Sequence, residues 1–413
     1  MEVSSPLVIS PARCIHVGIC GGCSFQHISY QEQLHSKEDE IRTLFTPFPE
    51  ACLLPILPAE EPWHYRGKME FTFSQDRAGK RFLGLLGRGA RGKVVSLTEC
   101  HIGPRKAAEL LERMREWWER SGLEAFHLRK ATGSLRTLTL RASSRTGCSL
   151  VMLTVSGDPL YALSRDQMDQ FVLAVQEVLG PTTAIFLRIH QALKGQPTEM
   201  FEMHLAGPKH LDEILELPPI TGRALLHCKI SPSSFFQPHP LQAERMVGEA
   251  ARMLALKPSD RLWDLYCGTF TFGLSLSALV KEVVGIELQP EAVLDAEENI
   301  ALNGITNARI HAGDVASLLV EMKGEAPDAV LVDPPRVGLA PAALEELLRI
   351  SPEKILYISC NPATQLRDAL QIAAAGYRLL QLQPIDQFPH TRHLENLALF
   401  IKIGETGAVV SRG

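Results

Sequence analysis

The segment Asp264-Leu-Tyr-Cys-Gly-Thr-Phe-Thr-Phe-Gly-Leu ends an apolar run in an acid, makes a tight turn and opens a helix. Such a loop lets a ligand approach the backbone and the helix N-terminus. About twenty residues on, Glu287 closes the next apolar run, where it can accept hydrogen bonds from ribose hydroxyls. Asp314, in Ala312-Gly-Asp-Val, closes a third run and can meet an adenine amino group. Acids on successive strand ends suit a nucleoside whose other end is cationic rather than a pyrophosphate. That chemistry is S-adenosylmethionine rather than NAD. Phe270 stands where such a loop has a second glycine, so the loop is expected to be rearranged or the pocket partly filled.

Asp333-Pro-Pro-Arg336 and Ser359-Cys-Asn-Pro362 each follow an apolar run. Two prolines after a strand-end acid fix the backbone and present its carboxylate. Methyltransferases directed at amino groups commonly follow the prolines with an aromatic residue. Arg336 in that place argues for different chemistry. Cys52, Cys148 and Cys228 read as inert thiols, whereas Cys360 lies in a polar turn beside the expected cleft. A thiolate there can add to an electron-poor ring. Glu395 precedes the last apolar strand, Leu397 to Ile401, and a carboxylate held among apolar residues suits a general base. Cys14-x5-Cys20-Gly-Gly-Cys23, with Cys100 before His101, supplies four thiols for tetrahedral zinc or an iron–sulfur cluster, and spacing alone does not decide between them.

Three stretches position these groups. Residues 1–60 form a cysteine segment followed by a helix, with Tyr30, Leu34, Ile41, Leu44 and Phe45 on one face; prolines from Pro47 to Pro62 then exclude helix. Residues 61–229 are mostly β, with alternating Met69–Ser74, a hairpin across Gly87–Gly92, strands at Leu135–Arg141, Cys148–Val155 and Thr183–Ile189, and a helix over Arg105–Arg120. Residues 230–413 alternate helices (Glu244–Leu256, Thr271–Val280, Pro290–Asn303) with continuous apolar strands such as Ala329–Asp333 and Lys354–Ser359. This pattern predicts an α/β, doubly wound, Rossmann-like domain with its ligand at the carboxyl ends of the strands.

The 413 residues, 45% hydrophobic and 22% charged, exclude disorder and a small disulfide scaffold. No apolar run is long enough for a membrane span, no leader precedes the cysteines, and nine cysteines read as cytosolic thiols. The expectation is a cytoplasmic protein without membrane association or an obligate protein partner. Between Pro62 and Arg145 there are 18 Lys and Arg against 8 Asp and Glu, while the rest of the chain carries 24 against 39. A basic segment in an acidic chain suggests a polyanion docked on one region.

Together these motifs resemble the RNA 5-methyluridine methyltransferases, from Cys14 to about Ile401, and most closely the iron–sulfur-containing 23S rRNA enzymes. The resemblance implies that Cys14, Cys20, Cys23 and Cys100 hold a [4Fe-4S] cluster, and that Gln237 (in Ser234-Phe-Phe-Gln), Tyr266, Thr271, Glu287, Asp314 and Asp333 line the S-adenosylmethionine site. It implies Cys360 as the nucleophile and Glu395, in His-Thr-Arg-His-Leu-Glu, as the base. RNA is the expected partner, 23S rRNA favoured over tRNA because the cluster cysteines are present. Two residues depart from the family, Phe270 and His239, the latter standing for an asparagine. The family's small β-barrel ahead of the cysteines is also missing, which places more of the RNA binding on the basic segment. The alternatives are a tRNA uracil-C5 methyltransferase, an amino- or nitrogen-directed methyltransferase, and a non-catalytic RNA-binding or assembly protein.

Overall fold

The computed structural model describes residues 11–404, apart from 90, 91, 193, 194, 196, 323 and 325. Its contacts divide it into two compact units. One combines residues 11–29 with Glu61–Glu213; the other combines Tyr30–Glu60 with residues 214–404. The expected 1–60 segment is therefore split. Its cysteines fold with the β-rich unit, and its helix folds with the α/β unit. The boundary expected at 229 falls instead after Glu213.

The chain enters the second unit first, through helix α1 (Tyr30–Leu44) and the two-residue strand β1 (Cys52–Leu53). The first unit then follows as strands β2 (Lys68–Gln75), β3 (Arg81–Leu86) and β4 (Val94–Ser96), helix α2 (Ala107–Ser121), strands β5 (Leu135–Ala142) and β6 (Ser149–Ser156), helix α3 (Arg165–Leu179) and strands β7 (Ala184–Gln191) and β8 (Glu199–Ala206). These strands make one sheet in the order β4-β3-β2-β5-β6-β7-β8. It is antiparallel except for β6 and β7, which α3 joins as a parallel crossover. The alternation of β2 sends Met69, Phe71 and Phe73 into a core shared with Trp117, Trp118 and Phe171 of the two helices. Strand β8 was not legible in the sequence because every residue from Glu199 to His204 is exposed, which leaves no alternating apolar face to read.

A hairpin of β9 (Leu211–Glu216) and β10 (Leu225–Ile230) leads on to α4 (Pro240–Leu254), β11 (Arg261–Leu265), α5 (Thr271–Leu276), β12 (Glu282–Glu287), α6 (Pro290–Leu302), β13 (Ala308–Ala312), α7 (Val315–Glu321), β14 (Ala329–Val332), α8 (Pro341–Ile350), β15 (Lys354–Ser359), α9 (Pro362–Ala374), β16 (Tyr377–Ile385) and β17 (Glu395–Lys402). The second sheet runs β1-β16-β17-β15-β14-β11-β12-β13. Strands β11 to β15 are parallel, and β17 lies antiparallel between β15 and β16. The strand order reverses between β11 and β14, where α/β sheets open a crevice at the carboxyl ends of their strands. The helix expected over Thr271–Val280 is a six-residue helix followed by a 3-10 turn at Ser277–Leu279.

Phe270 neither disorders the loop nor points out of it. It adopts the left-handed conformation (φ 65°) that glycine favours, and its side chain is fully buried. Two glycines make room for the ring. A Cβ on Gly273 would overlap it, and one on Gly285, in the middle of β12, would lie 2.9 Å from it. The ring thus sits inward between α5 and β12. We expect Gly285→Ala to lower stability by about 1–3 kcal/mol. In a denaturant-unfolding double-mutant cycle, adding Phe270→Leu should recover part of that loss, whereas strict additivity would show that the ring and the strand are not in conflict.

Candidate active site

The antiparallel pairing of β15 and β17 sets Ser359 opposite Asn396. Continued by one residue, that register puts Cys360 across from Glu395, although the two are far apart in sequence. The parallel pairing of β14 and β15 sets Val332 beside Tyr357, which brings Asp333 to the same end of the sheet. Three of the residues singled out in the sequence therefore meet because adjacent strands end together. The approach is electrostatic as well as geometric. Glu395 and Asp333 both push up the Cys360 thiol, and Asp333 acts likewise on Glu395.

Arg336 completes the cluster. It hydrogen-bonds Cys360 and draws the thiol pKa down, against burial and the two carboxylates, which lift it to about 11. The Asp333-Pro-Pro-Arg turn is fastened from below. Asn361 Nδ2 and Thr364 Oγ1 donate to the Arg336 carbonyl at 2.9 and 3.2 Å, and the Leu339 amide donates to Asp368 Oδ2 at 2.9 Å. Glu395 is buried, and burial first, then Asp333, holds its carboxyl well above the usual carboxylate range. Its Oε2 has no hydrogen-bond partner among the described residues, as does Oε1 of buried Gln387. Buried acceptors left open in this way invite a donor from outside the protein. Beside Cys360 lies a cavity of about 260 Å³, lined by Glu40, Arg336, Asn361, Arg392 and His393 among others.

Gln237 and Asp333, both expected at the cofactor site, are joined: Gln237 Nε2 donates to Asp333 Oδ2 at 3.3 Å, while its Oε1 accepts from Gln387 Nε2 at 3.0 Å. Burial raises Asp333 to about 7. Two strands over, Glu287 Oε2 accepts the Gly268 amide at 2.9 Å and Oε1 accepts the Gln289 amide at 2.7 Å, so the loop after β11 is tied to this carboxylate. Asp264 is deeper. It accepts the Gly273 amide at 2.8 Å, and burial lifts it to about 8, making it mainly a neutral strut under α5. Tyr266 holds a left-handed backbone (φ 61°), and burial first, then the nearby Asp314 carboxylate, raises its phenol to about 12. Asp314 also caps α7, accepting from the Ser317 amide at 3.0 Å. Thr271 opens α5, its hydroxyl 3.1 Å from that of Thr269. His239 is buried at the start of α4, where desolvation drops its pKa to about 3 and keeps the ring neutral.

The four expected cysteine ligands, all in the first unit, line one cavity with Leu85, Leu97 and Ile102. Each sulfur faces a donor: the His16 amide for Cys14, the Gly22 amide for Cys20, the Gln26 amide group for Cys23, and the Ile102 and Gly103 amides for Cys100. Burial lifts Cys14 to about 11 and Cys23 to about 12. Gly21 and Gly22 allow the loop to lie against β3, since a Cβ on either would come within 2.9 Å of Leu86 or Leu85. Among the described residues no three His, Cys, Asp or Glu are drawn together as finished metal ligands. The donor chemistry nonetheless suits a thiophilic metal, with amides aimed at sulfurs in an apolar pocket.

Arg336, Gln387, Arg392 and His393 were not singled out as site residues. The signal for Arg336 was its place after the two prolines; for the others it was the polar run between two apolar strands.

The residues 208–403 match the family model described as tRNA (Uracil-5-)-methyltransferase. An uncharacterized RNA methyltransferase of Protochlamydia amoebophila (strain UWE25) is 45% identical over 399 residues, covering 94% of this chain and 90% of the relative. One from Chlamydia muridarum (strain MoPn / Nigg) is 37% identical, covering 95% of this chain and 98% of the relative. The crystal structure of Pyrococcus abyssi tRNA (uracil-54, C5)-methyltransferase with S-adenosyl-L-homocysteine is similar in fold, with TM-score 0.74 and 25% identity over 97% of this chain and 87% of that one. Among the described residues no helix is long and apolar enough to cross a membrane.

Because the Cys360 thiol is lifted to about 11, only its small thiolate fraction reacts near neutrality, and that fraction grows about tenfold per pH unit. Iodoacetamide labelling of Cys360, read by peptide mass spectrometry, should climb without a plateau between about pH 7 and 9.5. Arg336→Met should slow it roughly tenfold. A plateau near pH 8, or labelling indifferent to Arg336, would contradict this account of the thiol.

Proposed function

The chain belongs to the RNA uracil-C5 methyltransferase family, and we propose that it methylates its uridine through a covalent bond between Cys360 and carbon 6 of the ring. The protein is an S-adenosylmethionine-dependent RNA (uracil-C5) methyltransferase. The observation that carries the covalent reading is the strand register that faces Cys360 with Glu395, whose Oε2 is buried and unsatisfied.

Carbon 5 of uracil is a weak nucleophile, and covalent catalysis divides its methylation into easier steps. Cys360, as the thiolate that Arg336 favours, adds to carbon 6. The electron pair of the 5,6 double bond moves onto the carbonyl oxygen at carbon 4. The enolate so formed returns the pair to carbon 5, which takes the methyl group of S-adenosylmethionine and leaves S-adenosylhomocysteine. Glu395 then accepts the proton on carbon 5, the double bond reforms and the thiolate departs. Burial that raises Glu395 makes it a stronger base once ionised. Gln237, Tyr266, Thr271, Glu287, Asp314 and Asp333 are assigned to the methyl donor. Acids along the strand ends complement the ribose, the adenine amino group and the sulfonium charge. The family match tells against a non-catalytic protein, and the ring of Phe270, which motivated that alternative, is buried against Gly273 and Gly285.

Cys14, Cys20, Cys23 and Cys100 are assigned to a [4Fe-4S] cluster, supported by their shared cavity and the donors aimed at each sulfur. When bound, such a cluster cross-links the loop of residues 14–23 to Cys100 and shapes the basic unit for RNA. The thiol set favours 23S rRNA as the substrate; similarity to the Pyrococcus abyssi enzyme, which acts on tRNA, supports tRNA as the second reading.

Cys360→Ala should abolish methylation, and Glu395→Gln should accumulate a covalent protein–RNA adduct visible on a denaturing gel; full turnover by either variant would refute its role. Mapping 5-methyluridine in total RNA from cells with and without the protein should show loss from 23S rRNA, and loss from tRNA instead would transfer the reading there. Purified without oxygen, the protein should carry about four iron and four sulfide per chain and lose both in Cys23→Ser. Zinc in their place would overturn the cluster assignment.

A further inference from the structure

Helix α1 buries a stripe that the reaction does not use. Gln33, Leu34, Lys37 and Ile41 are all buried, so two of the four side chains on the inward face are polar. Lys37 is 1% exposed, and its ammonium lies 2.5 Å from Oδ1 of Asp386, which is 0% exposed. The Tyr30 hydroxyl donates to the other oxygen of Asp386 at 2.8 Å, and itself accepts the Ala59 amide at 2.7 Å. Lys37 also donates to the Phe388 carbonyl at 3.1 Å, and Gln33 Oε1 accepts the His390 amide at 2.9 Å. Gln242 Nε2 closes the cage by donating to the Asp386 carbonyl at 3.1 Å.

Asp386 is well placed to transmit this grip. Its predecessor Ile385 is the residue paired with Glu395 across β16 and β17, and its successor Gln387 hydrogen-bonds Gln237, which hydrogen-bonds Asp333. The segment after it returns through Arg392 and His393 along the cavity beside Cys360. A buried ion pair is weak evidence for stability, because desolvation offsets much of the attraction. Its worth here lies in geometry: one carboxylate with both oxygens engaged fixes the point where the chain leaves β16.

We propose that Lys37 and Tyr30 are positioning residues which, through Asp386, hold the 386–394 segment so that Glu395 meets the uracil ring in register. The proposal rests on the covalent reading above and assigns α1 a part in the step that removes the carbon 5 proton. Small displacements of a catalytic group cost rate far more than affinity.

The test uses the full, cluster-loaded chain with its natural RNA, and turnover is expressed per S-adenosylmethionine-binding site counted by calorimetry. Lys37→Met should lower kcat roughly tenfold to a hundredfold and leave the methyl-donor affinity and the KM for RNA within about twofold. A covalent protein–RNA species should build up during turnover, since departure of the thiolate waits on the base. Tyr30→Phe, which removes one hydroxyl, should shift the same quantities less and in the same direction. If Lys37→Met is not recovered folded, Tyr30→Phe alone decides. Wild-type turnover per binding site, or a fall matched by an equal loss of binding sites, overturns the proposal. Wild-type protein that methylates RNA yet forms no Cys360 adduct on 5-fluorouridine RNA overturns the covalent reading instead, which separates the two failures.

Discussion

The proposed reactive pair, Cys360 and Glu395, depends on a register. Strand β17 runs antiparallel to β15, and only in the observed alignment, Ser359 with Asn396, do Cys360 and Glu395 face each other at the strand ends. Because successive side chains alternate between the two faces of a sheet, a slip of one residue would turn the carboxylate to the other face. The alignment is well specified, since Leu397 to Phe400 are all buried on both sides. The apolar run of the last strand therefore does more than fill the core. It sets where its first residue, a glutamate, comes to rest.

Burial then sets the proton inventory. Asp264, Asp333 and Glu395 all lie in surroundings that disfavour their charged forms. Arg336 is the cation among them, and it bears on both Cys360 and Glu395. An arginine suits this place because it stays protonated in any environment and presents several donors in a plane. An aromatic ring after the two prolines would offer a stacking surface but would leave the thiol among carboxylates with no opposing charge. The glycine pair that receives Phe270 serves the same economy, since it lets a bulky residue take a backbone shape usually reserved for glycine without obstructing the loop after β11.

Much of this could be read from residue types alone. The parallel strands announced themselves as continuous apolar runs ending in acids or in a cysteine, and those ends carry the proposed site residues. What escaped reading shares a cause. Strand β16 carries Gln381 and Gln383 within it, and buried Gln383 donates to the Pro55 carbonyl, far away in sequence, as well as to that of Pro384. On α1, Leu34 and Ile41 marked the buried face, but Gln33 and Lys37 share it, and polar residues read as solvated until their partners are known. Those partners lie 349 and 357 residues downstream. Local pattern holds no trace of such pairings, and for the same reason the helix was grouped with its sequence neighbours, the cysteines, instead of with the α/β unit.

That distant pairing bears on how the chain is made. Strand β1 adds to the sheet beside β16, and α1 packs on residues of the 386–390 turn. Both are translated well before their partners, Lys37 349 residues ahead of Asp386, and find their places only after β16 and the turn behind it have followed. The β-rich unit can close on itself in the interval, while the α/β unit waits with an edge uncovered. A nascent chain halted before β16 and β17 thus lacks two strands of the sheet and the proposed cysteine–glutamate pair together, so the sheet and that pair are finished in one step.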